Sequence, residues 1–181
     1  MAVLATKLHA PEPRRQLIPR TRLTERLSIE ESSLPRLVLV SAPPGFGKTT
    51  LLGQWLAEEP GHLARAAWLS LDENDNDPRR FLSHVVAALH GADARVGLEA
   101  DALLTSAAAL PTEAVLTSLV NDLDQQTGQT VLALDDYHLI ACEELLQVDQ
   151  GLCCGHLGDL VDVKPLHGLG EIRGRRRNSI R

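Results

Sequence analysis

The sequence predicts an α/β fold with a parallel sheet, and three observations carry that prediction. Short runs rich in branched apolar residues recur at 36–41, 66–71 and 130–134. Between them lie longer stretches whose apolar residues fall three and four apart, the spacing of a helix buried on one face. Strand-like and helix-like stretches therefore alternate, the order expected of parallel strands joined by crossovers.

In chain order, residues 1–34 are a polar lead-in segment with Pro11, Pro13 and Pro19 and five arginines between Arg14 and Arg26. Leu23 and Leu27, four apart, predict a short helix over 21–30 that Thr21 would cap. The run 36–41 is bounded by Pro35 and by Ala42-Pro43-Pro44-Gly45, and its length and branching predict a fully buried strand. A helix over 48–59 puts Leu51, Leu52, Trp55 and Leu56 on one face and stops at Pro60-Gly61. The strand 66–71 runs into the acidic stretch 72–77, read as a solvated loop that lacks the spacing of a calcium loop. Asp77 before Pro78 predicts an N-cap followed by proline at the first helical position. That helix runs to about His90, with Phe81, Leu82, Val85, Val86 and Leu89 inward. Helices are also predicted over 98–109 and 111–125, the second capped by Thr112 and closed by Gly128. A strand over 130–134 delivers Asp135-Asp136 to its tip.

At 181 residues the chain holds one domain or at most two and can bury a real core. Apolar residues at 44% exclude a wholly disordered chain. The net charge of −6 argues against gripping nucleic acid with the whole surface, since such binding rests on Lys and Arg at the phosphates. Five aromatics (Phe46, Trp55, Trp68, Phe81 and Tyr137) are too few for a base-stacking platform. No stretch approaches the roughly 18 apolar residues of a membrane span, and residues 1–10 lack a signal-peptide core, so a cytoplasmic protein is expected.

Composition breaks near residue 141. Residues 1–140 carry 12 basic and 18 acidic side chains, whereas 141–181 carry 6 of each, 6 of the 13 glycines and all three cysteines. The expected division is a lead-in at 1–34, a core at 35–140 and a divergent, disordered or frameshifted tail at 141–181. Cys142, Cys153, Cys154 and His156 make a forced zinc set, and free thiols are the expected state. The basic run 173–178 is read as a solvated end rather than a nucleic-acid tail.

The most informative segment is Ala42-Pro43-Pro44-Gly45-Phe46-Gly47-Lys48-Thr49-Thr50. Gly47, Lys48 and Thr49 match the end of the phosphate-loop pattern, although Ala42 stands where its first glycine belongs. Gly45 and Gly47 allow backbone N–H groups to turn around phosphate oxygens. Lys48 can reach the β- and γ-phosphates, and the Thr49 hydroxyl can ligate Mg²⁺. Leu132-Ala133-Leu134-Asp135-Asp136 supplies the second half. Asp135 would hold the metal and Asp136 would activate water. His138, at the same tip, is read as a structural hydrogen bonder.

These residues, with Thr6-Lys7-Leu8, Pro11, Arg20-Thr21-Arg22-Leu23, Trp68-Leu69-Ser70-Leu71-Asp72, Asn76-Asp77-Pro78-Arg79-Arg80-Phe81 and Tyr137-His138, resemble one family from Thr6 to about Ile140. It is the N-terminal NTPase domain of the large ATP-dependent LuxR-type transcriptional regulators, the MalT-like group of signal-transducing ATPases, in whose loop alanine at position 42 is in keeping. The resemblance implies a three-layer α/β/α P-loop NTPase fold that binds ATP and Mg²⁺, self-associates when loaded, hydrolyses slowly and contacts DNA only through other domains. It also implies that the segment around Arg20–Leu23 lies near the adenine. In that family another strand sits between the phosphate-loop strand and the strand ending in Asp135. Leu160-Val161-Asp162-Val163 is the only candidate for it, and a weak one. The expectation is therefore an incomplete ATP-binding fragment of a regulator, at most a weak ATPase. A small stand-alone P-loop ATPase or kinase and a non-catalytic interaction module are the alternatives.

Overall fold

One strand has an apolar layer on each of its faces. Residues Thr130–Asp135 form β3, and all six are buried. Side chains alternate across a strand, so Leu132 and Leu134 join one cluster with Ala67, Leu69, Phe81, Val85 and Leu119. Val131 and Ala133 join the other, with Leu52, Trp55 and Trp68. The computed structural model describes residues 4–11, 20–27, 37–58, 65–106, 109–126, 129–142 and 160–162.

The remaining strands are β1 (Leu37–Leu39), β2 (Arg65–Ser70) and β4 (Leu160–Asp162), and the sheet order is β1-β4-β3-β2. Every pairing is parallel. The weak candidate at 160–162 thus fills the slot between β1 and β3, with Val161 opposite Val38 on one side and Ala133 on the other. The rest of residues 141–181 beyond Cys142, including the basic run, Cys153, Cys154 and His156, lies outside the described residues. Cys142 is a free thiol.

The helices are α1 (Thr21–Leu27), α2 (Lys48–Glu58), α3 (Pro78–Ala92), α4 (Leu98–Ser106) and α5 (Thr112–Asp124). The cluster around Leu132 and Leu134 is built from α3, α4 and α5, whereas α2 and Leu27 of α1 pack on the opposite face. The Asp77 carboxylate accepts from the Arg80 amide at 2.8 Å, the cap expected for α3.

Three expectations are corrected. Leu39 of β1 is 54% exposed rather than buried, because its side chain points to the face opposite Val38 and Val40, which pack with Leu52, Trp55 and Trp68. Thr112 does not cap α5, whose N-cap position is Pro111 with no side-chain cap bond. The acidic stretch is not wholly solvated. Asp75 lies in a 3₁₀ turn (Glu73–Asn76) with no exposed surface. Its carboxylate meets the Lys7 ammonium at 2.5 Å, the His84 Nδ1 at 2.7 Å and the Asp72 amide at 2.8 Å. A buried carboxylate needs such partners, and Lys7 supplies the countercharge from 68 positions away.

Candidate functional site

The loop between β1 and α2 turns at two glycines in the left-handed region, Gly45 at φ 82° and Gly47 at φ 76°. Residues with a Cβ avoid these angles, which is why glycine stands there. Space around Gly45 is open, whereas a Cβ on Gly47 would sit 3.4 Å from the Arg20 guanidinium. Phe46 at the crest points outward and is 61% exposed. The loop then enters α2, with the Leu51 amide donating to the Gly47 carbonyl at 2.9 Å. Lys48, Thr49 and Thr50 form the first turn of α2, whose free amides and positive dipole end favour an anion.

Lys48 folds back over the loop. Its ammonium donates to the carbonyls of Ala42 at 2.9 Å and Pro43 at 3.4 Å. The Thr49 hydroxyl donates to the Asp135 carboxylate at 3.0 Å. The two sequence stretches singled out, 42–50 and 132–136, therefore meet in space at the C-terminal ends of β1 and β3. This is the edge where ligands of open parallel sheets collect.

Asp135 is 4% exposed. Burial raises its pKa first and the neighbouring Asp136 charge second, against the Thr49 hydrogen bond and the Lys48 charge. Asp136 has φ 60° and ψ 28°, a left-handed conformation uncommon for a residue with a side chain. The twist turns the chain into a 3₁₀ turn (Tyr137–Leu139) and leaves the Asp136 side chain half-exposed beside the buried Asp135. The exposed His138 Nδ1 lies 3.9 Å from the Asp136 carboxylate.

Arg20 has a contact that the sequence did not announce. Its Nη1 donates to the Phe46 carbonyl at 2.8 Å, so the segment before α1 reaches the glycine loop. No local pattern marks a contact between an arginine and a carbonyl 26 positions away.

No family model matches the chain. Over 138 residues the chain is 34% identical to the HTH-type transcriptional regulator MalT of Yersinia enterocolitica, an alignment covering 76% of this chain and 15% of that protein. Identity to MalT of Yersinia pestis and of Yersinia pseudotuberculosis is 33% over the same length and the same shares. The chain thus spans about 15% of the length of the curated relatives it matches.

Proposed function

We propose that this chain, which is homologous to the MalT HTH-type transcriptional regulators, carries the ATP–Mg²⁺ site of a regulator whose activity follows its bound nucleotide. The observation that supports this best is the approach of Thr49 to Asp135, one hydroxyl and one buried carboxylate at 3.0 Å beside a glycine loop. A magnesium site on a phosphate loop needs that pair of oxygen donors.

The residues fit the ligand in three further respects. The loop residues 42–50 offer backbone amides, open space at Gly45 and a helix N-terminus. Lys48, now held by two carbonyls, would exchange them for phosphate oxygens, a stronger charge-assisted pairing. No group of three or more His, Cys, Asp or Glu among the described residues could hold a metal alone. A cation here would lean on phosphate oxygens as well as on Thr49 and Asp135. Bound Mg²⁺ would supply neutralisation of phosphate charge.

Asp136, half-exposed next to the buried Asp135, is proposed to accept a proton from water at its free carboxylate oxygen, which would support slow hydrolysis. Self-association through this domain, DNA contact through other parts of an intact regulator, and a cytoplasmic setting belong to the same proposal. No described helix is long and apolar enough to cross a membrane.

The test is calorimetric titration of the 181-residue chain with ATP–Mg²⁺. Binding that weakens about 10- to 100-fold in Lys48→Ala, the loss of one hydrogen-bonded charge, is expected. Wild-type protein that takes up no nucleotide refutes the reading and favours an interaction module.

A further inference from the structure

The inference concerns Arg20 and rests on the nucleotide reading above. A trans peptide is planar, so its C=O and the following N–H point in opposite directions. No cis peptide is present among the described residues. The Phe46 carbonyl is held by the Arg20 Nη1 at 2.8 Å, so the Gly47 amide hydrogen is directed away from Arg20.

This peptide is open to flipping. It joins a largely exposed Phe46 to a left-handed Gly47 that has no Cβ to resist rotation. The bond from the Phe46 amide to the Pro43 carbonyl is long, at 3.4 Å. Arg20 supplies the restraint that Phe46 lacks, and its guanidinium also fills the space beside Gly47.

The clamp is itself anchored. The Arg20 carbonyl accepts from the Leu23 amide at 2.7 Å and the Thr24 amide at 3.1 Å, which ties it to the first turn of α1. At the other end of α1, Leu27 packs on the cluster of Leu52, Trp55 and Trp68. The loop is thereby joined to the core through a second element besides α2.

We propose that Arg20 is a positioning residue for the phosphate loop. It fixes the Phe46–Gly47 peptide so that the Gly47 amide stays turned toward a bound phosphate chain. The ligand class it serves is the polyphosphate, not the base.

The test titrates the 181-residue chain with inorganic tripolyphosphate–Mg²⁺ and with ATP–Mg²⁺, as wild type, Arg20→Ala and Arg20→Lys. Amide hydrogen exchange of the ligand-free proteins is measured alongside. Arg20→Ala should weaken both ligands by a similar factor, about 5- to 10-fold for one hydrogen bond. It should also speed exchange across 42–50 while β2 and β3 stay unchanged. Arg20→Lys, which keeps a charged donor, should restore most of the affinity. Unchanged tripolyphosphate affinity in Arg20→Ala overturns the clamp, including the case in which ATP alone weakens, which would put Arg20 on the base. Wild-type protein that binds neither ligand overturns the nucleotide reading and the clamp together.

Discussion

The Thr49 hydroxyl and the Asp135 carboxylate are 86 positions apart in sequence and 3.0 Å apart in space. Their contact joins the start of α2 to the tip of β3 and sets two oxygen donors side by side. The contact lowers the Asp135 pKa, but burial first and the neighbouring Asp136 charge second raise it, and the net shift is upward.

That raised pKa gives the site a pH dependence of definite sign. Below it Asp135 carries a proton in place of a cation, so affinity for ATP–Mg²⁺ should fall as pH drops through a value above the ordinary 3.8. The ligand-free fold has the opposite preference. It binds the Asp135 proton more tightly than the unfolded chain, so this contribution to stability is lost as pH rises through the same value. Asp136→Asn removes the second cause and should move the affinity midpoint to lower pH. Calorimetry across pH reads the midpoint, and one that stays put or rises would show that Asp136 does not act on Asp135.

Lys7 should be among the costliest surface-segment residues to lose. Its ammonium is the nearest cation to the fully buried Asp75, and Arg80 is farther off at 3.6 Å. Breaking a buried pair from one side costs about 3–5 kcal/mol, so Lys7→Met should lower the urea midpoint strongly. His84 responds to the same group. Its pKa is pushed down chiefly by burial, against the pull of Asp75, with Lys7 adding a smaller push. Stability should therefore decline as pH falls below 6.5, where the unfolded histidine gains a proton first. In Lys7→Met the imidazole should titrate at higher pH by NMR, and no change there would remove Lys7 from the cluster.

Gly97 tests the packing of α3 against the α4–α5 pair. It has φ +86°, and a Cβ there would lie 2.9 Å from Val86 Cγ1 in the core. Its amide donates to Asp122 at 2.8 Å, so the backbone cannot move away freely. Gly97→Ala should cost about 1–3 kcal/mol from overpacking and left-handed strain. A urea midpoint equal to that of wild type would contradict this.

The pairing of β4 can be probed by Val161→Pro. Proline removes a ladder donor from a strand paired on both sides. Hydrogen exchange should rise in β1 and in the β3 amides that face β4, and remain slow in β2. Equal protection of β1 in variant and wild type would mean that residues 160–162 do not hold it.

Much of this was legible because its signals are local. Apolar runs at 66–71 and 130–134 mark strands, Asp77-Pro78 marks the start of α3, and Gly45-Phe46-Gly47 marks the turn into α2. What escaped depends on distant partners. The three-residue strand at 160–162 has no period to read, so the sequence offered it only as a weak candidate, and its place comes from its two neighbours. Asp75 looks like its solvated acidic neighbours until Lys7 and His84 are brought to it by the fold. The exposure of Leu39 depends on what covers its face of β1, which an apolar run does not encode.

Strand order also has a consequence for biosynthesis. Among the described residues β1 pairs with β4 alone, and β4 leaves the ribosome after the other described strands. A nascent chain that has emerged as far as β3 can already zip β2 to β3 and close α3, α4 and α5 over them. The glycine loop at that stage hangs from a strand with no neighbour. Ordering of the loop would then have to wait for residues 160–162, and the nucleotide binding proposed above would be a late, post-assembly event instead of a nucleus for folding.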